Sequence, residues 1–226
     1  NVTEMINQAL RLVILLAAHV LLRGYVTDDT YIHLRYTENL LHRAEFSFNP
    51  GEATYGATSP LWILGLALLI KLGFSGPAAA WALGLISGAL MIALVAGLLR
   101  RLAFPEAWRW WLFVLAVVDA WFLRWTMSGM ETPLATFLLL VLLWPLFSGR
   151  ERGWGVQREP LWTRYLGWGV AAGMAGLTRP ELMLVVPLAL PWLLWFEYFR
   201  AVDGPSDRHA ARPHAPLVAA ICGWLA

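Results

Sequence analysis

The 226 residues are 59% hydrophobic and 14% charged, against about 25% charged in soluble domains; this excludes a single soluble core that buries its apolar surface. A formal net charge of +2 gives no basis for nucleic-acid binding. One cysteine, Cys222, excludes an intrachain disulfide, and the five histidines show no metal-ligand spacing.

Hydrophobic runs recur at roughly 8–24, 60–73, 77–99, 108–126, 132–147, 164–178, 182–199 and 215–226. A crossing helix needs about 20 apolar residues. The first run is apolar from Leu10 to Leu22, is followed by Arg23 and lacks a small-x-small cleavage site, so it reads as a signal anchor. Residues 25–59 are polar and acid-bearing, with Asp28, Asp29, Glu38, Glu45 and Glu52 against Arg35 and Arg43. Within them, Ile32, Leu34, Tyr36, Leu40 and Leu41 predict a surface helix over 30–42. Asp28 and Asp29 precede it, where a helix favours negative charge. Asn49-Pro50-Gly51 predicts a turn, and Pro60 suits the first turn of the next helix.

The run at 60–73 is short for a span and contains Lys71. If it crossed, Arg100, Arg101 and Arg109 would lie outside, together with Arg150, Arg152, Arg158 and Arg164. Cytoplasmic loops should be the Lys/Arg-rich ones. If it instead lies along the outer surface, those loops fall inside, as does 200–213 with Arg200, Arg208 and Arg212. The expected fold is therefore all-α: one polytopic transmembrane helical bundle over 1–226, with juxtamembrane helices in an outer loop at 25–73. Its seven spans are 8–24, 77–99, 108–126, 132–147, 164–178, 182–199 and 215–226. Asp119, inside the third span, is expected to be structural, paired with a neighbouring helix. Because the sequence opens on Asn1 and its last apolar run is in progress at Ala226, a piece of a longer protein is expected.

This threading puts three polar clusters on the outer face. They are Asp28-Asp29-Thr30-Tyr31-Ile32-His33-Leu34-Arg35-Tyr36, Ser128-Gly129-Met130-Glu131-Thr132-Pro133, and Thr178-Arg179-Pro180-Glu181. Ionisable groups near a membrane core are expensive and default to a functional reading. A carboxylate there suits a general base toward an acceptor hydroxyl, and an arginine suits a phosphate grip. Together they fit transfer of a group from a phosphorylated lipid. The plainer reading of each remains open. Asp28 and Asp29 can cap a helix, Glu131 can favour a helix start, Arg179 and Glu181 can form an ion pair, and His33 and Arg35 can be surface residues.

The spacing of Asp28-Asp29-Thr30-Tyr31-Ile32, Arg35-Tyr36, Asn39-Leu40, Phe48-Asn49-Pro50-Gly51-Glu52 and Thr58-Ser59-Pro60-Leu61-Trp62 resembles the first outer loop of GT-C class glycosyltransferases. These enzymes use polyprenyl-phosphate sugars. The resemblance is greatest to the branch containing mycobacterial terminal arabinofuranosyltransferases. Ser128-Gly129-Met130-Glu131 and Leu177-Thr178-Arg179-Pro180-Glu181 resemble that branch's later Ser-Gly-Leu-Glu and Leu-Thr-Arg-Pro-Glu motifs, with Met130 for the usual Leu. Tyr55-Gly56-Ala57-Thr58 departs from the commoner Gly-Tyr-Thr pattern.

The resemblance implies an inverting transfer from a polyprenyl-phosphate sugar donor to a glycan, lipid or protein acceptor. It implies a multi-pass inner (plasma) membrane protein with its active face extracytoplasmic. Asp28 or Asp29 maps to the catalytic base, Asp28 being favoured. Glu131 is a supporting acid, and Arg179, Arg35 and His33 are candidates for the donor phosphate. No metal ligands are assigned, although two adjacent acids could share a divalent cation. The alternative is a non-catalytic membrane subunit of a larger complex, descended from such an enzyme. A transporter is a weaker reading, because the sequence has neither an internal repeat nor paired midplane charges.

Overall fold

A computed structural model describes residues 2–21, 25–52, 56–144, 161–189, 191 and 195. The expected span 215–226 and the loops carrying Arg150, Arg152, Arg158, Arg200, Arg208 and Arg212 lie outside the described residues, as do the last parts of the spans 8–24, 132–147 and 182–199.

Among the described residues the protein is all-α, without strands. In chain order the helices are α1 (Val2–Leu21), α2 (Asp28–Arg43), α3 (Pro60–Lys71), α4 (Gly76–Arg101), α5 (Glu106–Val118), α6 (Ala120–Met127), α7 (Thr132–Leu143) and α8 (Leu161–Thr178), followed by a 3-10 turn at Pro180–Leu184. The chain divides into two compact units, Asn1–Phe137 and Leu138–Ala226.

The core of the first unit comes from α1, α4, α5 and α6. Arg11 meets Glu106 at 2.9 Å, Leu15 packs with Phe113 and Val117, and His19 reaches Thr126 at 2.8 Å. Both residue series rise together, so α1 runs parallel to α5 and α6. α4 runs the other way: Gly84 and Gly88 in its first half abut Thr126, while Leu99 near its end shares a cavity with Arg109. A Cβ on Gly84 would stand 2.2 Å from the Thr126 carbonyl oxygen. Only a missing side chain allows this backbone approach.

One end of this bundle therefore carries Arg11, Arg100, Arg101, Glu106 and Arg109. The other carries His19, the start of α4 and the turn after α6. α2 and α3 cover that second end. Leu34, Trp62, Leu66, Ala79 and Ala80 form one core cluster, with Leu69, Ile70 and Leu83 packed against it. The α3 members span most of that helix, whereas the α4 members lie within Ala79–Leu83. α3 thus packs over the first turns of α4 instead of running along it. Its 12 residues reach about 18 Å at 1.5 Å per residue, well short of a hydrocarbon core of about 30 Å.

Helix boundaries follow local chemistry. Pro60 opens α3 and Pro77 sits in the first turn of α4, where a missing N–H costs nothing. α2 ends with Ala44 in the left-handed region; the Ala44 N–H donates to the Leu40 carbonyl and the Glu45 N–H to the Asn39 carbonyl. The expected single helix over 108–126 is instead broken at Asp119, where α5 and α6 meet at a 60° bend. The Asp119 carboxylate accepts the Phe122 N–H at 2.7 Å and caps α6. This acid serves a backbone end, not a neighbouring helix.

α4, with 26 residues, is the one described helix long and apolar enough to cross a membrane. The α5–α6 pair also qualifies if it is taken as one bent span, whereas α3, α7 and the apolar part of α1 are shorter.

In the second unit, α8 presents Tyr165, Trp168, Ala172 and Ala175 as buried residues. The Trp168 indole donates to the Leu142 carbonyl at 3.1 Å. Met183 in the 3-10 turn folds back on Gly176, so the chain reverses tightly around Pro180.

Candidate functional site

The amino end of α2 is held by the turn after α6. The Thr27 N–H donates to the Ser128 carbonyl at 3.2 Å, and the Thr30 hydroxyl donates to the same oxygen at 2.6 Å. Next in the chain, the Gly129 carbonyl accepts the Trp62 indole N–H at 3.0 Å. Thr30, Trp62 and Ser128 are wholly buried. Gly129 has φ of +82°, and a Cβ there would fall 2.6 Å from the Thr30 methyl. A left-handed glycine is therefore what lets the turn close on α2. The first two of the three polar clusters thus share one hydrogen-bonded joint.

Beyond that joint Glu131 is turned inward. Its side chain and that of His33 are about 5% and 8% exposed, and His33 Nε2 stands 4.0 Å from Glu131 Oε2. A carboxylate this deeply placed is unusual unless paired. His33 lies five residues after Asp28 on α2, about 1.4 helical turns along it, on the buried side.

Asp28 and Asp29 occupy the first two positions of α2, with Thr27 at the cap position. Both are exposed. Negative charge is favoured there by the helix dipole, and exposure leaves both carboxylates accessible to a substrate. Arg35 is exposed on the same helix. Its Nε donates to the Phe48 carbonyl at 3.3 Å, and it pairs with Glu38 at 3.5 Å. Asn39 donates to the carbonyls of Ser47 and Phe48, each at 2.9 Å. The loop after α2 is thus laced back onto that helix.

One cation at this end escapes a motif-based reading. Arg124, one turn before Ser128, is exposed and lies 5.5 Å from the centres of the Tyr25 and Trp121 rings and 5.9 Å from that of Trp125. Such a cation with aromatic walls keeps its donors available at modest cost. The only sequence signal is an arginine among tryptophans near the end of an apolar run.

Arg179 and Glu181 belong to the second unit. They form an ion pair at 3.1 Å across Pro180, the plainer of the two readings open to them. The Glu181 carboxyl is held below the ordinary glutamate value, chiefly by its own backbone N–H. Burial offsets part of this, and Arg179 adds to it.

Among the described residues, no three His, Cys, Asp or Glu side chains gather as a metal site. No family model, curated protein or solved structure matches this chain.

Proposed function

We propose that the chain is the membrane-embedded part of a GT-C class glycosyltransferase, multi-pass in an inner (plasma) membrane. It moves a sugar from a polyprenyl-phosphate donor to a glycan, lipid or protein acceptor on the extracytoplasmic face. The observation that carries this reading is the joint between α2 and the Ser128–Glu131 turn. Two exposed aspartates, a buried Glu131 beside His33 and the aromatic-walled Arg124 collect at one end of the first unit, while the arginines around Glu106 collect at the other. Both ends carry both signs of charge, but arginine outnumbers acid around Glu106 while acid outnumbers arginine around α2, which suits a protein oriented by the excess of positive charge on its cytoplasmic side.

In the proposed reaction Asp28 or Asp29 accepts the proton of the acceptor hydroxyl as that oxygen attacks the anomeric carbon. The bond to the donor phosphate breaks, and the lipid phosphate leaves with its electron pair. Arginine offsets the charge that grows on the leaving phosphate. Arg179 and Arg35 are candidates from sequence, and Arg124 is added on geometry. Glu131 and His33, being buried, support the start of α2 from behind.

Asp28→Asn, Asp29→Asn and the double variant, assayed in the full chain with radiolabelled polyprenyl-phosphate sugar, test the proposal. Loss of the base lowers transfer by about 10² to 10⁴-fold. Full transfer in both single variants and in the double would remove the mechanism and leave the non-catalytic subunit as the better reading.

A further inference from the structure

Between the middle of the first unit and its end opposite the Ser128 turn, two cavities meet on one side chain. A cavity of about 390 Å³ lies along α1 and α4, walled by residues that include Leu15, Ile86, Leu90 and Ala93. A smaller one of about 70 Å³ lies between α4 and α5, beside Val95 and Leu99. The larger falls in the size range of ligand pockets, and apart from Arg11 its walls are apolar. Arg11 lines both cavities, and Arg109 lines the smaller.

Among the described residues, Glu106 is the carboxylate that Arg11 and Arg109 share. Arg11 contacts Glu106 at 2.9 Å with its own side chain only 5% exposed, and its guanidinium lies 4.7 Å from the centre of the Trp110 ring. Arg109 pairs with the same carboxylate. Two guanidiniums thus share Glu106, and Arg100 adds repulsion toward Arg11. The Nε N–H groups of Arg11 and Arg109 are buried without an acceptor. An apolar trough that ends in under-neutralised arginines is complementary to a molecule with a long apolar chain and an anionic head.

We propose that this groove holds one anionic phospholipid of the surrounding bilayer, its phosphate on Arg11 and Arg109 and an acyl chain along α4. A free phosphate would leave the larger cavity unfilled, whereas a lipid satisfies both the charge and the apolar walls. Arginine suits the phosphate because its planar fork matches the phosphate oxygens. The arginine-bearing end also faces the cytoplasmic leaflet in the orientation proposed above, where anionic lipids concentrate. This inference rests on the membrane placement but not on the transferase chemistry.

The test uses the full chain in nanodiscs of equal parts phosphatidylglycerol and phosphatidylcholine, with retained lipid read by native mass spectrometry. Wild type is expected to retain phosphatidylglycerol preferentially. Arg11→Gln with Arg109→Gln lowers that preference about tenfold, equivalent to about 1.4 kcal/mol. Ala93→Phe fills the chain-binding cavity and abolishes retention with both arginines intact. Arg101→Gln removes a cation at the same end that does not line the groove, and leaves retention unchanged. A phosphatidylglycerol carrying a photoreactive acyl chain should crosslink wild type within residues 86–99.

Equal retention of the two lipids by wild type would overturn the site. So would an Arg101→Gln effect as large as that of the double variant, or crosslinks joining two copies of the chain in place of lipid. Carbonate extraction separates the two levels of failure: release of the chain from membranes defeats the membrane placement itself, whereas a retained chain without lipid preference defeats only this site.

Discussion

Glu131 and His33 are a pair whose energetics depend on their surroundings more than on their separation. At 4.0 Å and with both side chains nearly buried, the two are screened less by water than an exposed pair such as Arg35 and Glu38. Glu131→Gln keeps the volume and the hydrogen-bonding shape while removing the charge, and His33→Gln removes the ring. If the two residues act together behind the amino end of α2, their effects on transfer and on thermal stability are not additive. A double-mutant cycle should give a coupling between about 0.5 and 3 kcal/mol, the range found for residues in contact. Additive effects within experimental error would mean that the two merely adjoin. Asp29→Asn provides the contrast, since Asp29 is exposed at the helix start. Its stability effect is expected to be a few tenths of a kcal/mol, the usual size of a surface dipole interaction.

At the level of helices, the tightest constraint is the crossing of α4 with α6. A methyl group on Gly84 would sit 2.2 Å from a backbone oxygen, and one on Gly88 2.7 Å from the Thr126 side chain. The first overlap is with backbone and is the deeper; the second is with a methyl whose Thr126 side chain is held by hydrogen bonds to His19 and the Phe122 carbonyl. Gly84→Ala is therefore expected to destabilise the first unit by about 1–3 kcal/mol, the cost of overpacking, and Gly88→Ala by less. Thermal unfolding in detergent checks the order, and equal effects at the two positions would contradict the close approach.

The motif positions in the first loop gain a physical meaning at this scale. Asn39 ties down the carbonyls of Ser47 and Phe48, the Tyr36 hydroxyl accepts the Gly56 N–H at 3.0 Å, and Trp62 anchors Gly129. These side chains shape the loop and its joint. The break at Asp119 was not readable, because both flanks are apolar and a period-based reading runs through them. The meeting of His33 with Glu131 was not readable either. It depends on the left-handed Gly129 and on the Thr30–Ser128 bond, both of which connect segments about a hundred residues apart.

For the whole molecule, the proposed function depends on which side of a membrane each turn lies. Charge segregation was legible in the sequence because the arginines cluster in loops and the acids in the first polar segment. Length and Lys71 mark 60–73 as a doubtful span, and in the sequence the arginine-rich loops are what assign it to the outer surface. In the structure, α3 reaches about 18 Å and packs on the first turns of α4. If α3 crossed a bilayer, Asn49 before it and Lys71 at its end would face opposite compartments. If it lies flat, both face the compartment shared by Asp28 and the Ser128 turn, and Ala107, at the arginine-bearing end, faces the other. Single cysteines at Asn49, Lys71 and Ala107, introduced after Cys222→Ser, separate these cases, since all three positions are exposed. An impermeant thiol reagent applied to intact cells is expected to label the first two directly, and Ala107→Cys only after permeabilisation. Labelling of Asn49→Cys and Lys71→Cys from opposite sides would place a membrane between Asp28 and Glu131. The 4.0 Å approach of His33 to Glu131 could not then exist in the membrane, and the transfer mechanism would fall with it.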